Sequence, residues 1–425
     1  MTSSNAAMSA TIAAEPLEDL TFHGGSETTL GVEIELQILD RQTGELAPGA
    51  TRILQACQDE EIDGVTGEFL LSMLEVKTDV CRNTAEVRDT LAPRLRHVHN
   101  VTQTLGFDLS IGGTHPAARA SMSAVFPGER YQRLQEHQGS LAYVEAVFGL
   151  HVHVGVPDGE RAVGVINQLV EYLPHLIALS ANSPFWQGVD TSHSSMRMRM
   201  FRPSANSGLT PRFETWDDFL HYCKTMHAAG MIAGTKDLYW DIRPKPAFGT
   251  IEFRIFDAPP TFTQILGLTS LARCLVTYAL ARLEENPDFG RGDQNRFWLA
   301  NENRWLAARY GLQAACVRGP NEERKTLAED AAQLLTDLRS TAEAIGELQF
   351  LRLLEPVDQL DTGAERQRGI YRKTGQWKPI VDDAQKRWRQ DLEQHAAAAK
   401  PVTAAADTAP ANTPAPPPAE TSPVF

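Results

Sequence analysis

Leu30-Gly31-Val32-Glu33-Ile34-Glu35-Leu36-Gln37-Ile38-Leu39 is the stretch on which the reading of the fold turns. Apolar and polar side chains alternate in it, the period of a strand with one buried face. Val32, Ile34, Leu36 and Ile38 point one way, and Glu33, Glu35 and Gln37 the other. Thr250–Asp257 repeats the pattern, setting Ile251, Phe253 and Ile255 opposite Glu252 and Arg254. Residues 151–155 predict a third short strand with His151 and His153 on one face, and residues 74–78 form another β-prone segment. Helical periodicity governs residues 84–105, 162–180, 216–229, 263–284 and 322–351. Strands scattered among helices without regular βαβ spacing predict an α+β fold, a largely antiparallel sheet with flanking helices.

The acidic residues on these strands carry the chemical signal. Glu33 and Glu35 could simply face water, but the pattern recurs at Glu75, with Glu68 seven residues earlier, and at Glu252. Glutamate is a poor strand former, and several on one sheet face repel unless a cation sits among them. A Glu-x-Glu pair on one strand face sets two carboxylates about 7 Å apart, a spacing suited to neighbouring hard divalent ions. His151 and His153 lie in register and are followed by Gly155, and an H-x-H on a strand directs both rings to one side. His97 and His99 lie in a helical stretch where i and i+2 diverge, so they receive no role.

The chain has 425 residues and a formal charge of −14, which argues against a sequence-independent grip on nucleic acid. The five cysteines are scattered and include no C-x-x-C pair, so buried, reduced thiols are expected. The early residues lack the charged and apolar regions of a signal peptide, and the expected location is the cytoplasm. The longest apolar stretches, 163–179 and 264–283, are interrupted by polar residues and read as core helices, not membrane spans. Residues 1–27 are expected to be a flexible segment, 28–395 one catalytic domain, and 396–425 a disordered Ala/Pro-rich tail.

Taken in order, Glu33-x-Glu35, Glu68, Glu75, the 151–155 segment, Ser180-Ala-Asn-Ser-Pro-Phe-Trp186, Asp241-Ile-Arg-Pro244 and Gly249-Thr-Ile-Glu-Phe-Arg254 resemble the type 2 glutamate–cysteine ligases. These are carboxylate–amine ligases of the glutamine-synthetase-like superfamily. The resemblance implies a curved antiparallel sheet whose concave face holds ATP and two or three Mg²⁺ or Mn²⁺ ions. It implies Glu33, Glu35, Glu68, Glu75, His153 and Glu252 as metal ligands, and Arg254 as the contact to the transferring phosphoryl group. Arg197 is similar to the arginine that holds an amino-acid α-carboxylate in related ligases. Arg243 is a second candidate for the substrate, with an Asp241–Arg243 structural ion pair as the alternative. The family usually has a glycine after Asp190-Thr191, where this chain has Ser192-His193, close to where selectivity for the substrate would be set. The expected partners are the amino acid, the amine and ATP, with a homo-oligomer possible by resemblance, and the reaction implied is glutamate plus cysteine to γ-glutamylcysteine.

The chemistry is consistent with that resemblance. Amide formation needs a better leaving group than oxide, which phosphorylation by ATP supplies, and metals with an arginine clamp stabilise the phosphoryl charge. The chain contains no Walker A sequence and no G-x-S-x-G nucleophile elbow. Two alternatives stay open at this level. One is a metal-dependent hydrolase built on the H-x-H and carboxylates; the other is a non-catalytic homologue that binds nucleotide or amino acid.

Overall fold

The computed structural model describes residues 17–119, 124–128, 131–132, 146–200, 206–286, 294–318 and 323–399. Its centre is a seven-stranded sheet: β1 (Leu30–Asp40), β2 (Val65–Gly67), β3 (Met73–Lys77), β4 (Phe107–Ser110), β5 (Gly149–Gly155), β6 (Ile242–Lys245) and β7 (Thr250–Asp257). The order is β6-β7-β5-β1-β3-β2, with β4 also paired to β1, and every ladder is antiparallel. The α+β expectation therefore holds, and the three strands read from alternation lie where they were expected.

The alternation decides which face is which. Val32, Ile34, Leu36 and Ile38 are wholly buried in the main core. Helices Thr84–Thr104 and Phe262–Glu285 pack over that side. Each helix starts on a side-chain cap, Asn83 for the first and Thr261 for the second, satisfying a backbone donor that would otherwise be orphaned. The second apolar stretch is the buried helix Phe262–Glu285 of this core; the first is split between Gly159–Leu169 and Leu173–Ser180, also mostly buried. Both pass a length-and-composition test for a membrane span, and their burial within the body accounts for their apolar character.

One expectation needs correction. The run 322–351 is not one helix: Glu323–Thr326 pairs with Ala315–Arg318 as a hairpin, and Leu327–Asp337, Arg339–Ala344 and Leu348–Leu351 follow separately. Thr326 closes a capping box with Glu329, so the helix begins there and the residues before it are left to pair as strand. At the N-terminus, residues 17–27 lie on the body: Leu20 packs with Phe213, Phe219 and Trp240, and the His23 amide donates to the Pro246 carbonyl. At the other end helix Lys378–Ala398 continues past 396, with His395 bonded to Thr263. Residues 400–425, most of the expected tail, lie outside the described residues.

Candidate active site

The antiparallel register turns scattered glutamates into three neighbouring rows. Arg243, Glu252, His153 and Gly31 are successive cross-strand partners on β6, β7, β5 and β1. The next row is His151, Glu33 and Lys77, and the third is Glu35, Glu75 and Thr66. Directly opposed residues lie on one face, so the polar side chains of six strands converge. Ligand atoms of Glu33, His153 and Glu252 come within 4.8 Å of one another, as do those of Glu33, Glu75 and His151. Glu68, just after β2, completes a third such group with Glu35 and Glu75. All six expected ligands are thus brought together, and His151 joins them.

Neighbouring side chains hold this constellation in place. The ring Nδ1 of His153 lies 3.0 Å from Thr250 Oγ1, which turns Nε2 toward Glu33, 3.7 Å from Oε1. Thr66 donates to Glu75, and the Gly149 amide donates to Glu35. Such outer contacts orient ligands before any ion arrives.

The charges are unevenly settled. Burial pushes the Glu33 carboxyl up, but hydrogen bonds and attraction from His151 and His153 outweigh it and hold Glu33 well below the usual range. Glu75 goes the other way: burial raises it, Glu33 repels it, and Lys77 only partly compensates. The Nε2 of His151 is buried and has no hydrogen-bond partner among the described residues. A proton-hungry carboxylate beside an orphaned imidazole nitrogen is the environment a cation relieves. With five carboxylates and two imidazoles and no thiolate, the donor set fits Mg²⁺ or Mn²⁺. The five cysteines are all buried elsewhere, as expected.

The arginines take partners from the protein itself. Arg243 grips Glu252 with two nitrogens, at 2.8 and 3.1 Å, and its Nη1 donates to the carbonyls of Thr235, Lys236 and Leu238. Its fork is spent on the protein. Asp241 does not pair with Arg243; it takes a bidentate contact from Arg304, and its carbonyl accepts from the Arg254 amide. Arg254 donates to Glu252 at 2.6 Å from the other side. Burial lowers the Arg254 guanidinium's pKa, but the charge of Glu252 dominates and raises it, so the group is firmly cationic. Arg197 is 1% exposed; its Nη1 donates to the Arg254 carbonyl, and a Cβ on Gly149 would run into its guanidinium.

Asp257, at the end of β7, is a junction that sequence reasoning missed. It accepts from the Asn182 amide, Ser183 Oγ and Ser195 Oγ, and Ser183 Oγ in turn accepts from the Arg197 amide. The 180–186 and 195–197 motifs are therefore tied to the strand that carries Glu252 and Arg254. The only signal available was an acidic residue closing the alternation of β7. Ser192 adopts φ +57, a left-handed conformation that glycine enters without strain.

Comparisons with known proteins agree with this architecture. The family model for glutamate-cysteine ligase family 2 matches residues 29–394. A protein of Gloeobacter violaceus carrying the provisional name glutamate–cysteine ligase 2 is 35% identical over 369 residues, 86% of this chain and 98% of that one. A provisionally named glutamate–cysteine ligase 2 of Thermobifida fusca is 35% identical over 375 residues, 87% of this chain and 93% of that one. Among solved structures, the bifunctional glutathione synthetase of Pasteurella multocida shares the fold at TM-score 0.63 and 16% identity. The match takes in 87% of this chain and 53% of that one. The glutamate–cysteine ligase of Francisella tularensis, solved with AMP, shares it at TM-score 0.58 and 14% identity, over 88% of this chain and 90% of that one.

The protein is a carboxylate–amine ligase, an enzyme that uses ATP to form a C–N bond. The hydrolase and non-catalytic alternatives fall with that assignment. More particularly, the chain belongs to glutamate–cysteine ligase family 2.

Proposed function

We propose that the enzyme joins the γ-carboxylate of glutamate to the amine of cysteine, forming γ-glutamylcysteine through an acyl phosphate. A carboxylate oxygen of glutamate attacks the γ-phosphorus of ATP and ADP leaves. The cysteine amine then attacks the acyl carbon, phosphate leaves, and the nitrogen loses a proton. The observation that supports this reading is the convergence of five carboxylates, in three adjoining clusters, with Arg254 on one sheet face.

Glu33, Glu35, Glu68, Glu75, His153 and Glu252, with His151, would hold Mg²⁺ or Mn²⁺. Bound there, the ions neutralise phosphate charge and orient the triphosphate. Arg254 presents a planar fork to the transferring phosphoryl oxygens. We assign Arg243 the positioning of Glu252, and Arg197 the positioning of the β7 backbone at Arg254, since both guanidiniums are enclosed. The acidic Glu75 side chain lies where extra negative charge is least welcome without a metal. That is the expected cost of a site built for cations.

The test is ADP release by the purified chain with amino acids offered in pairs with amines, and mass analysis of the product. Release is expected with glutamate plus cysteine, with Mg²⁺ or Mn²⁺ but not with Zn²⁺ alone. Release with a different pair only would overturn the substrate assignment, and zinc-supported hydrolysis without nucleotide would overturn the reaction.

A further inference from the structure

The β6–β7 end of the sheet carries more positive charge than its own acids settle. Arg243, Arg254 and Lys245 gather around one buried carboxylate, Glu252, and both of its oxygens are already taken by the arginines. Lys245 is the last residue of the edge strand β6 and shares its face with Arg243, two residues earlier. A lysine on an edge strand ordinarily reaches into water and protects the edge from pairing. This one is only 9% exposed, and it makes neither a hydrogen bond nor an ion pair among the described residues. Burial, then repulsion from Arg243, lowers its pKa to about 8, with Glu252 and more weakly Glu18 pulling back.

Its surroundings are built, not incidental. Nζ lies 5.7 Å from the ring centroid of Phe248, and that ring meets the His153 ring edge-on at 5.9 Å. Phe248 is 64% exposed, an unusual position for an aromatic beside a cluster of charges. The turn that presents it is pinned. Gly249 has φ +61, where a Cβ would strike the His23 carbonyl, and its own carbonyl accepts from the Val156 amide. A partly desolvated ammonium without a partner is costly to keep, so an anion that arrives from outside gains a strong charge-assisted contact.

We propose that Lys245 binds the phosphate chain of the nucleotide, with the exposed Phe248 ring beside it against the same nucleotide. The inference rests on the ligase reading above and adds a residue that sets affinity for ATP. An amino-acid carboxylate is the other anion that Lys245 could hold, and the two are separated by which Michaelis constant moves.

Lys245→Met keeps the length of the side chain and removes the charge, and at this enclosed position the melting temperature should stay level or rise. Loss of one charge-assisted contact predicts a KM for ATP raised about tenfold or more, with kcat changed by less than about threefold. The KM values for both amino acids should stay in place, and Lys245→Arg should recover most of the ATP affinity. Equilibrium dialysis of the magnesium complex of a non-hydrolysable ATP analogue gives the same comparison without turnover. If the wild-type chain binds the analogue and Lys245→Met binds it equally well, the role of Lys245 is wrong and the ligase reading stands. A rise confined to an amino-acid KM also overturns it, in favour of the carboxylate. If the wild-type chain binds no nucleotide, the ligase reading fails and this inference with it. Should Lys245→Met not fold, Lys245→Gln carries the same two outcomes.

Discussion

Glu252 and Glu75 carry the same functional group on the same sheet face, yet their surroundings give them opposite energetics. Arg243 and Arg254 overcome the burial of Glu252 and hold its pKa well below the usual range, whereas Glu75 is raised by burial and by Glu33. Gln at position 75 should therefore leave the metal-free chain as stable as before or more so, while ligation falls by at least about a hundredfold. Gln at position 252 should also abolish ligation, but at a cost of roughly 3 kcal/mol, because two buried guanidiniums lose their counter-charge. Urea unfolding in a chelator, alongside ADP release, separates the two cases. Equal stability losses would mean that the acids do not differ as described. His115 offers a pH test away from the site. Buried, bonded at Nε2 to the Gly44 carbonyl and accepting at Nδ1 from the Ala117 and Ala118 amides, it is lowered to about 4. The unfolded chain takes up this proton near pH 6.5 and the folded chain only near 4, so stability is full above 6.5 and drains away as pH falls between the two. His115→Gln should flatten that slope by up to roughly 3 kcal/mol at pH 4. A parallel slope in wild type and variant would show that His115 protonates freely.

Between elements, one ion pair fastens three pieces of the chain. Arg273, in the central helix Phe262–Glu285, donates to Glu347 at 2.6 Å, and the same Glu347 oxygen accepts from the Thr84 amide at the start of the next helix. Glu347 is fully buried, so Arg273→Met strands its charge and should cost roughly 3–5 kcal/mol in urea unfolding. The double replacement Arg273→Met with Glu347→Leu should recover much of the loss. If the double variant is worse than the single one, the pair is contributing more than its own desolvation cost. The hairpin at 315–326 teaches a different lesson at this scale. Its second strand, Glu323–Thr326, reads in the sequence as part of a helical run because four residues cannot display a period of two against eleven that follow with a period of 3.6. The cap at Thr326, not the hydrophobic pattern, marks the boundary.

For the whole molecule, the two ends are expected to respond differently to removal. Leu20 completes the small cluster around Phe213, Phe219 and Trp240, and the backbone at His23 is bonded to the turn that presents Phe248. Removing residues 1–25 should lower the melting temperature by several degrees and weaken nucleotide binding through that turn. Removing 400–425, rich in Ala and Pro, should change neither by more than measurement error. A tail deletion that costs stability would show that those residues dock on the body. Metal provides the complementary measurement: Mg²⁺ or Mn²⁺ should raise the melting temperature of the wild-type chain by mass action, and raise it less in Glu35→Gln. An equal rise in both would place the ions somewhere other than this face.

Much of this was legible in the chain itself, for a simple reason. Alternation is local, so Glu33, Glu35, Glu252 and Arg254 could be set on strand faces, and the α+β class followed from how such strands alternate with helices. Carboxylates recurring on strands, where they are disfavoured without a cation, pointed to a hard cation, whereas the particular ligands were implied only by the resemblance. What only the tertiary structure decided is pairing: which strand lies beside which, in what register, and which partner each charge takes. That Asp241 meets Arg304 sixty-three residues away, that Arg243 spends its fork on Glu252 across the β6–β7 ladder, and that Asp257 ties down two separate segments are matters of tertiary pairing. A one-residue slip in any ladder would move a whole row to the other face. Lys245 illustrates the limit most plainly. In the sequence it is a lysine between two prolines, and only the packing of β6, β7 and the N-terminal segment around it leaves its charge buried and unmatched.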